Sequence, residues 1–504
     1  MGIIIRQGLK SSIVTYIGVI IGMFNMLILY NTFLTQEELG LYASTLLTFP
    51  IIYMSVTLLG VPHIAVRFHS RFNTPELRKQ LFTFMLAVPF AGLAVFTILY
   101  LLFKPVYISF YEENSPLLLK YYYTFIPLTA GMVYLSVLES YSRINLRIAV
   151  PTLIREVGLR LCNSAIVILY GFDYISFDTM VQLTVLAYIL AIAAMLFYLH
   201  WQGKLYLRFD FGFIRHPAFN EMYRYGLWVV LGGAASALLP HIEKVLLPGF
   251  EGGLGNTAIF DIASRIAVII AIPKNSIVLI SAPILSSAIH QKNMHEVESI
   301  YKKSSLNLYI IGSLLLLGIW CNIDSVFELI PNSDIYSSGK WVVLMIGMAK
   351  LTDMMTGLNS EILTNSNYFR YDLIFVFLLT ALLAVTNIYL IPIYGFNGAA
   401  AASLLSMVVY NLAKLIFIYK KMHVQPFTLQ TVQVTLLATI TYVIVQMIPH
   451  GFPATFLGTI ADVTLRSAII VFIFGGGIIF WKVSDEISTG WNMVITAFRK
   501  KAKH

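Results

Sequence analysis

Charged residues lie inside stretches of the sequence that are otherwise apolar, and the most informative of them are Arg160, Glu243, Lys244, Arg265, Lys274 and Lys350. A charge near the centre of a bilayer is costly, so it is retained where it meets a partner, a wet cavity or a charged substrate. Arg160, Lys274 and Lys350 fall close to the middle of their own apolar stretches. Cations at that depth would attract an anion, so the chemistry that these residues indicate is the transport of anionic cargo.

The alternative for each charge is an ion pair with a neighbour on the same helix. Residues at i and i+3 or i+4 are neighbours on a helix surface, and that spacing relates Glu156 to Arg160, Asp261 to Arg265, Lys350 to Asp353 and Asp462 to Arg466. Glu243 and Lys244 could instead pair across to the next helix. Lys274 has no acidic residue at helical spacing, so a structural partner would have to come from another helix, and we expect substrate binding there.

We therefore expect the substrate to bind to the deep cations Arg160, Lys274, Lys350, Arg265 and Lys244. The nearby carboxylates are candidates for binding a coupling ion, H⁺ or Na⁺, and they are Glu156, Asp261, Glu243 and Asp353. Glu156, Arg160 and Asn163 share one face of a regular helix. Arg155 lies about 140° round such a helix from Arg160, so it is expected to face elsewhere.

The elements that hold these residues are apolar helices. The chain is 58% hydrophobic and 12% charged, with a mean hydropathy of +0.78, whereas soluble domains carry roughly 25% charged residues. A helix needs about 20 residues to cross the hydrocarbon core. Fourteen stretches approach or exceed that length: 11–33, 41–66, 80–103, 121–141, 149–170, 179–199, 225–248, 258–289, 304–321, 341–360, 371–391, 397–418, 429–449 and 463–481.

The loops predict the orientation of these helices. Lys and Arg prefer cytoplasmic loops. With the N-terminus inside, 23 of them fall in inner segments, against only Lys104, Lys120 and Lys340 outside. Both termini are then cytoplasmic, and the net charge of +9 reflects topology rather than nucleic-acid binding.

The sequence leaves few residues outside the predicted membrane spans that could form a catalytic domain. The loops are short, and the motifs of nucleotide hydrolysis, serine hydrolysis and zinc proteolysis are absent. The two cysteines, Cys162 and Cys321, lie in different halves and lack metal spacing. We expect no enzyme activity, no cofactor and no metal.

An internal repeat relates the two halves. Asn163 precedes Tyr170-Gly171-Phe172-Asp173, and Asn387 precedes Tyr394-Gly395-Phe396-Asn397, at an offset of 224 residues. The first six helices thus recur as the next six, with the same orientation. Such parallel repeats are related by an axis along the membrane normal.

Several motifs resemble one family of transporters. They are Leu34-Thr35-Gln36-Glu37-Glu38-Leu39-Gly40, Leu59-Gly60 with Arg67-Phe68, Ile242-Glu243-Lys244-Val245, Phe260-Asp261-Ile262-Ala263-Ser264-Arg265 and Ile391-Pro392-Ile393-Tyr394-Gly395-Phe396-Asn397-Gly398. In order and spacing they resemble the bacterial polysaccharide transporters, the Wzx-type flippases of lipid-linked oligosaccharides. That family belongs to the multidrug/oligosaccharidyl-lipid/polysaccharide exporter superfamily, hereafter MOP. Glu243-Lys244 replaces the more usual Asp-Arg.

The resemblance implies an all-α polytopic membrane protein with two six-helix lobes and two extra C-terminal helices. Its parts would be an N-lobe (1–203), a C-lobe (204–424), helices thirteen and fourteen (425–482) and a cytoplasmic tail (483–504). It also implies alternating access and a polyprenyl-diphosphate-linked glycan as cargo in the bacterial inner membrane, with membrane lipids as further partners. We expect a monomer.

Two other functions stay open. A cation-coupled multidrug exporter of the same superfamily would want unpaired carboxylates in its cavity. Here the deep carboxylates Glu156 and Asp353 each have a basic neighbour at helical spacing. A membrane glycan polymerase or ligase would usually need a sizeable outer loop, which the sequence lacks.

Three further expectations concern architecture. An inward-opening cavity between the lobes would be lined by Arg160, Lys274 and Lys350, and helices thirteen and fourteen would form a groove for the lipid tail. Pro273 would kink the eighth helix beside Lys274. In the tail, an apolar stripe precedes basic residues and predicts an amphipathic helix on the inner membrane surface, with Ile487, Trp491, Val494 and Phe498 on one face.

Overall fold

The structure is a computed structural model that describes residues 2–206, 209–448, 452, 455–484 and 486 of the chain. Those residues form helices and short connections, without a β-strand among them. An apolar chain in lipid must satisfy its backbone N–H and C=O groups internally, and helices do so within one segment. The amphipathic tail predicted at residues 487–504 lies outside the described residues.

Residues group into two compact units, Met1–Ala258 and Ile259–His504. The longer helices that lie mainly in the first are α1 Gly2–Phe24, α2 Pro75–Leu102, α3 Phe125–Ile144, α4 Leu159–Gly171, α5 Phe177–Trp201 and α6 Phe219–Leu238. Helix α7 Gly253–Val268 crosses the boundary. The second unit holds α8 Ile272–His290, α9 Met294–Trp320, α10 Lys340–Met355, α11 Phe369–Met422, α12 Leu429–Gln446 and α13 Phe456–Ile470.

Shorter helices extend or connect the longer ones. They include Tyr30–Phe33, Gln36–Leu39, Phe49–Thr57, Val61–Phe68, Lys104–Tyr111, Ala149–Thr152, Ile242–Leu246, Asn359–Asn365 and Gly476–Phe480. Four π-helical stretches, in which hydrogen bonds run from i to i+5, continue neighbouring helices at Asn25–Leu29, Gly40–Leu46, Leu153–Gly158 and Val471–Gly475.

Nine helices in the described part of the chain are long and apolar enough to cross a membrane, or up to eleven if each bent pair is one span. Helix α11 joins two helices at Gly395, whose φ of 57° and ψ of −134° are not helical. The two halves fold back on each other, because Thr386 and Ser406 lie 3.1 Å apart at their hydroxyl oxygens. The break agrees with the predicted spans 371–391 and 397–418, while the full count of fourteen stays a prediction.

Helix α3 lies in the interior of the first unit and packs against α2, α5 and Phe49–Thr57. Close packing of α2 on Phe49–Thr57 requires a small residue at Gly92, where a Cβ would lie 2.2 Å from the Thr57 carbonyl oxygen. A stack of aromatic rings reinforces this region, with Tyr100 and Tyr122 parallel at 4.3 Å. Rings stacked in this way add to the free energy of burial.

Helices α12 and α13 share an apolar core with α9 in the second unit. Val434, Phe474 and Leu317 are buried together there, and the hydroxyls of Tyr309 and Thr435 are 2.8 Å apart. Asp462 and Arg466 form the predicted i, i+4 ion pair at 3.3 Å and are buried. The proposed lipid groove beside these helices stays a prediction.

The two compact units divide the chain at a different place from the repeat-based boundary at 203/204. Residues 204–258 group with the first unit because they contact it at several points. Arg71 and Glu221 form an ion pair at 2.6 Å, and the Ser115 hydroxyl donates to the Pro248 carbonyl oxygen at 2.6 Å. The repeat itself stays a prediction.

Candidate functional site

A ladder of alternating charges connects α3 to α4 in the first unit. Arg160 donates to Glu156 at 2.8 Å, and Arg155 donates to the other oxygen of Glu156 at 3.1 Å. Arg155 also reaches Glu139 at 2.6 Å, and Arg143 reaches Glu139 at 3.4 Å. We call these five residues the arginine ladder. Three guanidinium groups share two carboxylates, so the ladder carries one positive charge in excess.

The position of Arg155 differs from the sequence-based expectation. Arg155 and Arg160 were expected to face different directions, but both bond to Glu156. The reason is that Leu153–Gly158 is π-helical rather than α-helical, and the regular angle per residue therefore does not apply there. π-helical turns are frequent at functional sites.

Helix α1 has small residues where Arg160 lies against it. The Arg160 guanidinium donates to the Gly18 carbonyl oxygen at 2.5 Å. A Cβ on Gly22 would lie only 2.1 Å from the same guanidinium, so no larger residue fits without moving Arg160. Asn25 donates to the Arg160 carbonyl oxygen at 3.1 Å. These contacts hold Arg160 in one position, although about a third of its side chain stays exposed.

Asn163 follows on the same helix but is separated from solvent. It is buried, and its side-chain oxygen has no hydrogen-bond partner among the described residues. Asn387, its counterpart in the predicted repeat, is also buried with an unpartnered oxygen.

Lys274 has an acidic partner in the second unit, and this partner comes from another helix; substrate binding by Lys274 stays a prediction. Its ammonium donates to Asp353 at 2.7 Å, from α8 to α10. Only 15% of the Lys274 side chain and 23% of the Asp353 side chain are exposed. The spacing rule overlooked the pair because it compares positions on one helix only. Pro273 lies in the first turn of α8, after the short 3₁₀ turn Ile269–Ala271 that separates α8 from α7.

Lys350 does not form the ion pair that its sequence spacing allowed. Asp353, three residues further along the helix, bonds to Lys274 instead. Lys350 lies on α10, is partly buried, and forms neither an ion pair nor a hydrogen bond within the part of the chain that the structure describes. An ammonium in that state can accept an anionic ligand without breaking an existing pair.

The remaining predicted site residues are held in structural contacts. Asp261 and Arg265 form two parallel bonds of 3.1 Å each, and the Asp261 side chain is fully buried. This bidentate geometry is the strong form of an ion pair. Glu243 and Lys244 are both buried and both take part in interactions within the molecule.

Three charged residues of the second unit, Lys414, Asp372 and Glu361, escaped the sequence-based selection. Lys414 is fully buried, donates to Asp372 at 2.6 Å and to Ser360 at 2.8 Å, and lies 4.4 Å from the Tyr410 ring centre. Lys414 and Asp372 are each 21 residues from Ile393 in the sequence, so a hairpin turning there brings them together. This equal separation from the predicted turn was the sequence signal that could have identified the pair.

The fold is similar to those of several solved structures. A lipid II flippase, MurJ, in an inward closed conformation superposes with a TM-score of 0.73 at 14% identity, over 94% of this chain and 100% of that chain. An inward-facing multidrug resistance MATE family transporter of the MOP superfamily gives 0.59 at 12% identity, over 82% and 98%. A MOP superfamily transporter from Pyrococcus furiosus, described as having a binding pocket of reversed polarity, gives 0.54 at 12% identity, over 84% and 95%.

The chain has the fold that these solved structures share. No family model matches its sequence, and no curated protein matches it in sequence. At such low identity the similarity shows the fold alone. The resemblance to the Wzx-type branch therefore belongs with the proposals.

Proposed function

We propose that the protein is a flippase that moves a polyprenyl-diphosphate-linked oligosaccharide across the bacterial inner membrane by alternating access, for the synthesis of surface polysaccharide. A diphosphate is not solvated by hydrocarbon, so cations must accompany it along its route. One solved MOP structure is that of a lipid II flippase, and a lipid-linked cargo is compatible with the shared fold.

The arginine ladder is the observation that carries this proposal. In the predicted topology, Arg143 lies at the cytoplasmic end and Arg160 near mid-depth, with Arg155 between them. Arg forks onto two phosphate oxygens at once and remains charged at any accessible pH. The ladder has one positive charge in excess. An anion can therefore move from one guanidinium to the next, from the cytoplasmic end toward mid-depth, while the two carboxylates keep their bonds.

Lys350 is the proposed ligand from the second unit. Its ammonium has no competing carboxylate among the described residues, so anion binding there costs no existing ion pair. Lys274, Arg265 and Lys244 can take part only after giving up contacts that they already form. We therefore place Lys350 first among the substrate ligands. Arg160 is paired as well, and it contributes to the proposed site through the excess positive charge of the arginine ladder.

A multidrug exporter is the second candidate, and one observation favours it. The second unit contains the partly buried Glu361, whose Oε2 is buried and has no hydrogen-bond partner among the described residues. A carboxylate in that state would attract a cationic drug. The fold alone does not separate the two functions, because MATE exporters share it.

Transport by reconstituted protein separates them. The full chain in vesicles should move a fluorescent polyprenyl-diphosphate oligosaccharide between leaflets. Lys350→Ala should slow this transport roughly ten- to hundredfold, since a hydrogen bond to a charged group contributes about 1.5–3 kcal/mol. Lys350→Arg should retain part of the activity, because the charge is kept while geometry changes.

Lys420→Ala is the matched control, because Lys420 is exposed at the end of α11 and lies outside the apolar span. It removes the same charge and should transport normally. Efflux of a cationic dye without movement of the labelled lipid would refute the flippase and support the exporter. Normal lipid transport by Lys350→Ala would remove Lys350 from the site.

A further inference from the structure

Two tryptophans meet where α9 ends and α10 begins, in the second unit. Trp320 is the last residue of α9, and Trp341 is the second residue of α10. Their ring centres are 5.6 Å apart, and the ring planes are inclined at 47°. The rings are therefore not stacked face to face, and 56% of Trp341 is exposed. An indole exposed to this extent presents a large, rigid apolar surface to a ligand.

An ion pair lies beside these rings. The Lys340 ammonium lies 5.5 Å from the Trp320 ring centre and donates to both carboxylate oxygens of Asp324 at 2.7 Å each. The side chains of Asp324 and Lys340 are 61% and 34% exposed. Exposed charges are costly in hydrocarbon, so this surface faces water. We call Trp320, Asp324, Lys340 and Trp341 the tryptophan patch.

The backbone that carries Asp324 is held in place by buried neighbours. Asp324 lies on the short helix Ile323–Glu328, between α9 and α10. Ile323 and Phe327 lie one turn apart on this helix and are both buried, which leaves Asp324 at the surface. A site that is already ordered loses less conformational freedom when a ligand binds.

All three lysines that the predicted topology places outside the membrane lie over aromatic rings. The ammonium groups of Lys104, Lys120 and Lys340 are 4.8, 5.3 and 5.5 Å from a ring centre. Lys120 also bonds to Asp178 at 2.7 Å, as Lys340 does to Asp324. Such contacts between cations and rings are favourable. At Lys340 the ring belongs to the tryptophan pair, so this position combines the ion pair with the larger aromatic surface.

The chemistry of the tryptophan patch fits an uncharged sugar ring. The charges of Lys340 and Asp324 cancel, so the patch has no net attraction for a diphosphate. A carboxylate and an ammonium can each form more hydrogen bonds than their mutual pairing uses. The remaining positions can bond to sugar hydroxyls, while the apolar C–H face of a pyranose packs on the exposed indole. Binding sites commonly combine aromatic surface with a few polar groups in this way.

We propose that the tryptophan patch is a binding site for a neutral pyranose. That this sugar belongs to the transported glycan rests on the proposed function. In the predicted topology the patch lies at the outer end of α9, where a glycan would arrive after crossing the membrane. Trp also anchors helices among lipid head groups, but a ring with that role alone needs no carboxylate beside it.

Saturation-transfer difference NMR of the full-length protein in lipid nanodiscs tests the patch. The probes are the methyl pyranosides of glucose, galactose, mannose and N-acetylglucosamine, each titrated into the millimolar range. At least one of them should receive saturation from the protein, most strongly at its ring C–H protons. Trp341→Ala should weaken its binding roughly two- to tenfold, because the stacked ring is lost.

Two further variants and a control complete the comparison. Trp341→Phe should retain part of the binding, because a smaller aromatic ring remains. Asp324→Asn should weaken binding, because hydrogen bonds to a charged acceptor are stronger than those to a neutral one. Trp201→Ala is the matched control. It removes another exposed tryptophan, at the end of α5, and should bind the pyranoside normally.

Absence of transfer to all of the pyranosides would overturn the proposal and leave Trp341 as a membrane anchor. Unchanged binding by Trp341→Ala, or an equal loss in Trp201→Ala, would also overturn it. If Trp341→Ala fails to fold, Trp341→Phe and Asp324→Asn decide the question.

A competition experiment identifies the source of the sugar. Displacement of the pyranoside by a polyprenyl-diphosphate oligosaccharide would assign the patch to the cargo, whereas its retention would assign the patch to free sugars and remove it from the cargo route. Neither measurement requires transport. Failure of the flippase assay would therefore leave pyranose binding intact, and absence of pyranose binding would leave the flippase assay to stand on its own.

Discussion

Ion pairs between helices determine which lysine of the second unit keeps an uncompensated charge among the described residues. Lys274 and Asp353 neutralise each other across α8 and α10, and Lys350 is left with its charge uncompensated among the described residues. A buried group that loses its partner retains the full cost of its own desolvation. Removing Lys274 is therefore a structural change before it is a functional one.

Lys274→Ala should destabilise the protein by about 1–3 kcal/mol, because Asp353 would keep its charge without a partner. Asp353→Ala should do the same, and the double variant should recover part of the loss. Thermal melting in detergent measures all three. Lys302→Ala is the control, since it breaks a bond of equal length, 2.7 Å, to Glu298 on a more exposed surface, where such pairs contribute about 0.3–0.5 kcal/mol. An equal fall in melting temperature for Lys274→Ala and Lys302→Ala would contradict this account.

Spacing on a single helix predicted part of this pairing from the sequence. Glu156–Arg160, Asp261–Arg265 and Asp462–Arg466 all form. The pairs Lys274–Asp353 and Lys414–Asp372 join positions 79 and 42 residues apart. Such pairs depend on which helices become neighbours, and a helical repeat carries no information about that.

At the scale of elements, hydropathy located the helices but not their breaks. The break at Gly395 followed from glycine in a turn-like motif, and the boundary before Pro273 followed from its missing N–H. The π-helical stretches had no such signal, because they arise from local packing rather than residue type. One of them, Leu153–Gly158, changed which arginines share Glu156.

Gly395→Ala should destabilise the hairpin of α11. Its φ of 57° and ψ of −134° are rarely accessible to other residues, and such strain costs about 1–3 kcal/mol. The melting temperature should fall, and proteases should cut near residue 395 more readily. Gly318→Ala is the matched control, because it lies in α9 with open space around it and should be neutral or stabilising. An unchanged melting temperature for Gly395→Ala would show that the turn relaxes freely.

At the scale of the whole chain, the predicted repeat and the two compact units divide the sequence at different residues, after residue 203 and after Ala258. Residues 204–258 belong to the first unit through contacts such as Arg71–Glu221 and Phe84–Phe213, whose ring centres are 5.4 Å apart. Sequence similarity between halves reports how a chain was duplicated. It does not report which helices pack together, so the boundary after Ala258 could not be read from it.

A fragment of residues 1–252 should therefore fold more completely, and aggregate less, than a fragment of residues 1–203. The longer one retains the partners of Arg71, Phe84 and Ser115, and compact units often fold alone. Both can be expressed as fluorescent fusions and compared by size-exclusion chromatography in detergent. We expect a single sharp peak from the longer fragment and aggregated material from the shorter one. The opposite result would support the boundary at 203/204.

The bond between Asp372 and Lys414 has a consequence for biosynthesis. Asp372 lies in the first turn of α11, at the predicted cytoplasmic end of the hairpin. The ribosome completes Asp372 before Lys414, which pairs with it at 2.6 Å in the finished hairpin. Because an unpaired charge is costly to bury, Asp372 should keep its contact with water until the second half of α11 emerges, and the two side chains should then become buried together as a neutral pair.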